Sequence, residues 1–417
     1  MRYINIVNSE RGQALILYAA ILAALVLFAG LAIDSGLLYV TKAKLSTAVD
    51  AACLTGMKNL LQGQSTATTL ATDAFNANFG AHPPTPSITF PTDSAGDLQV
   101  KVTATATVNT LFMKIVPAFA TVNVSDTAVA TRGMLAMSLV LDNSQSMSSD
   151  GGASALPPAV TAFVDDFNNT ADEVAMIHFS TLATLDYAIA THFQAPITTA
   201  VKALNFDSNQ PEDSTTSPLG LAMAKVQEDS VIPKTGQNVI KVVVFFTDGL
   251  ANAIQQSLLC GGKATTVEFG GIDSSGNSLY FFDSTGSYLG TYSGTGGSNP
   301  YCNGVTTFTS SIPPGNRKNI NQPNVTADSI YDAEQSASAM RAEGIYIYSI
   351  GLGGGIDTTT KTFLQTVAND PGGPNFDSSQ PAGLFFNVPN CPSTTCTASL
   401  NAAFQTIASK VLLRLTQ

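Results

Sequence analysis

The chain has no tryptophan, only three histidines and five cysteines in 417 residues, and 12% charged residues. That charged share is about half of the usual quarter. With 33 glycines and a mean hydropathy of +0.18, it excludes a disordered polyelectrolyte. The 19 basic residues are outnumbered by 30 acidic ones, a net charge of −11. This excludes a nucleic-acid partner, which needs a basic surface. His82, His178 and His192 stand beside no cysteine pair, so a Cys/His zinc site has no support. No G-x-S-x-G elbow surrounds Ser144 or Ser146, and a hydrolase triad is not expected. Gly351-Leu352-Gly353-Gly354-Gly355 lacks the later glycine spacing of a dinucleotide loop and any GK[ST]; it reads as a turn. His178, within VAMIHFS, reads as a satisfied core histidine. Without an activated nucleophile or an acid–base pair, the expectation is a protein that is not an enzyme.

Gly12 to Ile33 is a run of 22 residues without a charge. As a helix at about 1.5 Å per residue it covers a bilayer core of roughly 30 Å. A cleaved signal peptide is the rival reading, with Gly30-Leu31-Ala32 as a small-x-small site. The run exceeds the usual apolar region of about 7–15 residues, so a retained anchor is expected. Arg2 and Arg11 on one side balance Lys42 and Lys44 on the other, which leaves the positive-inside count tied. The cysteines break the tie. Cys260 and Cys302 bracket a Gly/Ser-rich stretch, and Cys391 and Cys396 sit in PNCPSTTC, with Cys53 left over. Two disulfides in an oxidising compartment fit this, the alternative being five reduced thiols. Residues 1–11 are then a cytoplasmic N-terminus, and the bulk lies outside the cytoplasm.

Charge divides the remainder. Residues 1–133 hold 8 Lys/Arg and 7 Asp/Glu, a net of +1, whereas residues 134–417 hold 11 and 23, a net of −12. Between 34 and 133 the pattern predicts a helix over Ser35–Leu61 and another over Ala71–Phe79. LQVKVTATATV and ATVNVSDTAVATR alternate as two half-buried strands. A helical or loop piece joins them around Leu111–Pro117. This is a small membrane-proximal α+β region. From 134 to 417, apolar runs such as Leu135–Leu141, Glu173–Phe179, Val239–Phe246 and Ile345–Ile350 alternate with helical stretches. Such runs predict an α/β fold with a doubly wound, mostly parallel sheet covered on both faces. Ligands bind such sheets beyond the carboxyl ends of the strands.

The residues at those ends are oxygen donors. The first strand leads into Asp142-Asn143-Ser144-Gln145-Ser146, and Val239–Phe246 leads into Thr247-Asp248-Gly249. Ser214-Thr215-Thr216-Ser217 precedes the helix that starts at Pro218. One carboxylate and two hydroxyls on the first loop, a hydroxyl from the second and a carboxylate from the third can converge on one hard cation. Oxygen-only ligation suits Mg²⁺, with Mn²⁺ or Ca²⁺ as substitutes. Few charged ligands leave such an ion able to accept a carboxylate from a protein partner. The rival reading makes Asp142 and Ser144 turn and N-cap residues only.

DNSQSM, the hydroxyl before PLGLAM and the TDG at the end of an apolar strand resemble a von Willebrand factor A (VWA) domain with its metal-ion-dependent adhesion site. On that resemblance Asp142, Ser144 and Ser146 form the first loop and Asp248 the third. The second-loop hydroxyl falls on Ser217, with Thr216 as the alternative. ERGQALILYAAILAALVLFAGLAID, the following AVDAAC and the final SLNAAFQTIASKVLLRLTQ resemble the TadE/TadG-type proteins of Flp (tight-adherence) pilus assembly. Prepilin-like relatives carry Glu five residues after the processing glycine, where this chain has Leu17 after Gly12; the resemblance therefore implies a retained anchor. It further implies a single-pass protein of the bacterial inner membrane that docks pilus-assembly or envelope components, the metal serving binding rather than catalysis. A structural envelope component whose metal only stabilises the fold, and a metal-assisted hydrolase, are the alternatives.

An insertion from about 251 to 324 is rich in Gly, Ser and Asn. SLYFFDSTGSYLGTY reads as a hairpin around Asp283–Gly286. Its Tyr280, Phe281 and Phe282 are candidate partner contacts, against a packed decoration with its own small core.

Overall fold

The computed structural model describes residues 11–60, 63–94, 96–206, 215–270, 278–283, 285, 287–293, 299, 301–302, 304–354, 356–389 and 394–414. The proposed cytoplasmic residues 1–10, Ser214 and Cys391 lie outside them. The chain folds as two compact units, one ending at Arg132 and the other starting at Gly133.

In the first unit, helix α1 (Arg11–Lys58) runs unbroken from the apolar segment into the predicted membrane-proximal helix. Among the described residues it is the one helix long and apolar enough to cross a membrane. Helix α2 (Gln64–Phe79) follows, then strands β1 (Ser87–Thr89), β2 (Leu98–Asn109) and β3 (Thr121–Arg132). They form an antiparallel sheet in the order β1-β2-β3. The three-residue β1 was too short to be read from the sequence. Strand β2 alternates as its composition demands. Val100, Val102, Ala104 and Ala106 pack with Leu45, Val49 and Ala52 of α1 and Phe75 of α2. Its other face pairs hydroxyls with β3, Thr103 to Thr127 at 3.0 Å and Thr105 to Ser125 at 2.9 Å. Cys53 is a buried free thiol that donates to the Val100 carbonyl.

In the second unit, β4 (Met134–Asp142) leads into a short turn of helix, α3 (Ser146–Ser149), and then α4 (Gly152–Val164), β5 (Glu173–Phe179), β6 (Ala183–Ala190), α5 (Gln194–Ala203), α6 (Ser217–Ser230) and β7 (Val239–Thr247). After the insertion come α7 (Gln322–Ala342), β14 (Tyr346–Leu352), α8 (Thr358–Ala368), β15 (Phe385–Val388) and α9 (Thr394–Arg414). The insertion supplies the intervening strands β8 (Ile254–Cys260), β9 (Lys263–Gly270), β10 (Ser278–Phe282), β11 (Tyr288–Ser293), β12 (Thr307–Ile312) and β13 (Arg317–Asn319).

Among the described residues the central sheet has the order β15-β14-β7-β4-β5-β6. All its pairings are parallel except that of β6 with β5. The doubly wound expectation therefore holds, and its cause is visible within single strands. Leu135, Met137, Leu139 and Leu141 of β4 point to a core closed by α4, α5 and α9. Val140 points to a second core closed by α6, α7 and α8. A strand buried on both sides shows no alternation of polarity. Ser138 is the exception on the α6 side, and its hydroxyl donates to Glu228 Oε1 at 2.7 Å.

The insertion folds as an antiparallel sheet in the order β11-β10-β9-β8 and a β12-β13 hairpin. The predicted hairpin joins β10 to β11. The Asp283 carboxylate accepts the amides of Thr285 and Ser287 at its turn. Ile254, Leu258, Val267, Leu279, Phe281 and Tyr292 form a core of the insertion's own, which Val325 of α7 joins. This corrects the assignment of Phe281 and Phe282 as partner contacts: both are buried, and the hairpin spends them on packing. Tyr280 alone of the three is partly exposed.

Cys260 and Cys302 form a disulfide that spans 42 residues. Cys396 is also disulfide-bonded. Cross-linking a loop of that length restricts the unfolded chain, which is worth about 4 kcal/mol. The Cys260→Ser/Cys302→Ser variant is therefore expected to be cut within the insertion by protease concentrations that spare the wild type.

Candidate functional site

Asp142 closes β4, in register with Phe179 of β5, while Leu141 lies opposite Phe246 of β7. The first loop and the Thr247-Asp248 turn thus leave the sheet side by side at its carboxyl edge. Asp142, Ser144 and Asp248 are all buried. Asp142 Oδ1 accepts the Ser144 amide at 2.8 Å, which folds the loop back on the carboxylate, and Oδ2 accepts the Thr247 hydroxyl. The Ser144 and Ser146 hydroxyls are 3.1 Å apart, and Ser146 Oγ donates to Asp248 Oδ1 at 2.9 Å. A hydrogen-bonded chain thus joins the predicted first and third loops. Burial pushes the Asp142 carboxyl above its ordinary range, opposed by its bonds from Ser144, Thr247 and the Asp248 amide.

The second loop reaches the same edge by other means. The Thr216 amide donates to the Ser180 carbonyl, just past β5, at 2.9 Å. The Thr215 amide donates to Asn252 Oδ1 at 2.7 Å, and the Asn252 amide returns a bond to the Thr215 carbonyl at 3.1 Å. Thr216 caps α6, and Ser217 and Pro218 open it. Gly220, in the first turn, lets α6 approach the sheet: a Cβ there would lie 2.9 Å from Val140 and 3.1 Å from Phe179.

An N-cap hydroxyl ordinarily accepts an amide of the first turn, yet Thr216 makes no such bond. Thr216 Oγ1 and Ser217 Oγ are both buried with no hydrogen-bond partner among the described residues. An unsatisfied buried hydroxyl costs about 1–3 kcal/mol. Two of them, at the same carboxyl edge as the first and third loops, are hard oxygen donors of the chemistry that a hard cation takes. The described residues hold no group of three His, Cys, Asp or Glu side chains able to bind a metal, so hydroxyls are essential to any such set. Sequence reasoning did not assign Thr247 or Asn252. Thr247 was legible as the neighbour of Asp248, but its bond to Asp142 depends on the β4–β7 register. Asn252 carries no motif.

The features set aside earlier have ordinary roles. His178 Nδ1 is 2.7 Å from Asp186 Oδ2 on β6, half-buried rather than deep in the core. Gly353 has φ 82°, as a turn requires.

Residues 137–260 match the von Willebrand factor type A domain family. Residues 12–59 match the Flp pilus-assembly TadE/G-like family. The chain carries a VWA domain behind a TadE/G-like N-terminal segment. Strands β14 and β15 lie beyond the matched VWA residues and complete the sheet.

Solved structures give weaker likenesses. The vWF domain of the type V pili tip protein Mfa5 from Porphyromonas gingivalis is 16% identical, with 69% of this chain and 97% of that one covered and a TM-score of 0.43. The PilB minor pilin from Streptococcus sanguinis is 16% identical, with 80% and 79% covered and a TM-score of 0.43. The pilus adhesin SpaC from Lactobacillus rhamnosus GG is 13% identical, with 81% of this chain but 35% of that one covered and a TM-score of 0.41. No curated protein matches the chain significantly.

Proposed function

We propose that the chain is a membrane-anchored, pilus-associated docking protein whose VWA domain binds a protein partner through a divalent cation. The observation that carries this reading is the pair of buried, unpartnered hydroxyls on Thr216 and Ser217, set at the same sheet edge as the Asp142–Ser144–Ser146–Asp248 chain. Asp142, Ser144 and Ser146 would hold Mg²⁺ (or Mn²⁺ or Ca²⁺) from the first loop, Thr216 or Ser217 from the second, and Asp248 from the third, directly or through water. The ion would supply a positive centre for a carboxylate of the partner. Only two of these ligands are carboxylates and the rest are neutral hydroxyls, which would leave the ion able to take a further anion. The partner belongs among pilus-assembly or envelope components, a reading supported by the TadE/G-like segment.

Helix α1 would anchor the chain in the bacterial inner membrane with its N-terminus in the cytoplasm. The bulk would lie in the periplasm or outside the cell, where the Cys260–Cys302 disulfide is stable. The test is capture of envelope proteins by the detergent-solubilised full chain. Retention in Mg²⁺, loss in EDTA and recovery on adding Mg²⁺ back are expected. Capture that is indifferent to chelator would remove the metal from the binding step.

A further inference from the structure

We infer that the loop between β2 and β3, residues 110–120, is a second membrane contact that sinks its apolar side chains into the lipid interface beside α1. The inference rests on reading α1 as the membrane anchor. The loop is fixed to that helix at two points one turn apart. Asp34, which ends the apolar run, accepts the amides of Leu111, Phe112 and Met113 at 2.7, 2.9 and 2.6 Å. At Gly30 a Cβ would lie 2.5 Å from the Phe112 ring, so the ring rests directly on helix backbone. Gly30 is inside the uncharged run Gly12–Ile33. At about 1.5 Å per residue it lies some 6 Å toward the bilayer centre from Asp34. The loop is therefore held at the level of the last turn of the span.

Its surface suits that depth. Leu111, Phe112, Ile115, Val116 and Phe119 are between 37% and 72% exposed, and Lys114 is the loop's one charge. A contiguous apolar patch of this kind marks a contact surface, and a lysine within it can extend its ammonium to the headgroups. The backbone is prepared for a medium that offers few hydrogen bonds. Beyond the three amides taken by Asp34, those of Thr110, Ile115, Val116, Phe119 and Ala120 donate to carbonyls within the loop. The Thr110 hydroxyl donates to the Phe119 carbonyl at 2.7 Å, and Pro117 has no amide to satisfy. The same contacts bury the Asp34 carboxylate, which keeps the anion that terminates the span away from acyl chains. Lipid is the occupant because the patch is continuous with the lipid-facing surface of the span.

The absence of tryptophan makes the test direct. The full chain is reconstituted into phosphatidylcholine vesicles with a single introduced fluorophore, as Ile115→Trp, Leu22→Trp or Val129→Trp. The Ile115→Trp emission is expected to shift to the blue. Lipids brominated near the glycerol end of the acyl chain should quench it more than lipids brominated near the methyl end. Leu22→Trp, in mid-span, should show the opposite preference, and Val129→Trp, exposed on β3, should keep water-like emission. Water-like emission from Ile115→Trp beside a quenched Leu22→Trp would overturn the inference and leave the anchor standing, and would point to a protein cover for the patch. Equal quenching of Ile115→Trp and Val129→Trp would also overturn it. An unquenched Leu22→Trp would remove the anchor and this inference together.

Discussion

Asp142→Asn is expected to weaken Mg²⁺ binding by more than about 100-fold while the VWA domain stays folded. Second-shell losses alone cost metal sites about 10–100-fold, and Asp142 is proposed as a direct ligand. Asn keeps an oxygen that can accept the Ser144 amide, now 2.8 Å from Oδ1, so the loop retains its fold while the charge is lost. Asp142→Ala removes that acceptor and the partner of the Thr247 hydroxyl, and should lower stability as well. Ser146→Ala, which releases Asp248 Oδ1, should lose less affinity than Asp142→Asn. Calorimetric titration of Mg²⁺ into the full chain reads each value. Because burial raises the Asp142 carboxyl, protons compete with the cation there, and affinity should fall as the solution is made acidic. Undiminished Mg²⁺ binding by Asp142→Asn would mean that the site is misassigned. The experiment also separates docking from mere stabilisation. A ligand bound only by the native state raises its unfolding temperature. Asp142→Asn would then lose that increment in either case, but would lose partner capture only if the cation takes part in docking.

Much of this arrangement was legible because strands buried on both faces leave a mark that few other elements do. Leu135–Leu141 and Val239–Phe246 carry almost no polar residue, and the polar residues that stop them are Asp142, Thr247 and Asp248. The site therefore announces itself at the points where apolar runs end. The choice between Thr216 and Ser217 was not legible, and both hydroxyls prove to be buried and unpartnered. Helix α5 escaped because only Ile197 and Val201 of its ten residues are buried, too few to set a period. In the insertion, Tyr280-Phe281-Phe282 gave the same signal whether exposed or packed. What decided it was the pairing of β10 with both β9 and β11, a matter of long-range register. The docking of Phe112 on Gly30 was hidden for the same reason, since the two residues are far apart in the chain.

Glu228 illustrates a different gap, since a polar residue near the end of an amphipathic helix ordinarily reads as solvent-facing. It is fully buried, on the helix whose other end carries Thr216 and Ser217. The Ser138 hydroxyl donates to its Oε1, and Oε2 has no hydrogen-bond partner among the described residues. Lys241 Nζ donates to the Glu228 backbone carbonyl. Desolvation pushes the carboxyl up to about 8 against the pull of Ser138 and Lys241, with Asp229 and Glu173 adding to the rise. At neutral pH the native protein therefore holds this group as a neutral acid, whereas the unfolded chain ionises it near 4.5. Below about pH 4.5 both states carry the proton and the full contribution is present. As pH rises toward 8 only the native state keeps it, and stability drains at about 1.4 kcal/mol per unit, roughly 5 kcal/mol in all, before levelling off. Glu228→Gln mimics the protonated acid and removes this slope. Urea unfolding in saturating Mg²⁺ should find the variant close to wild type at pH 5 and several kcal/mol more stable at pH 9. Asp328, likewise raised, to about 7, titrates in both proteins and cancels. A variant less stable than wild type at pH 9 would mean instead that Glu228 is ionised in the native state and held by Lys241.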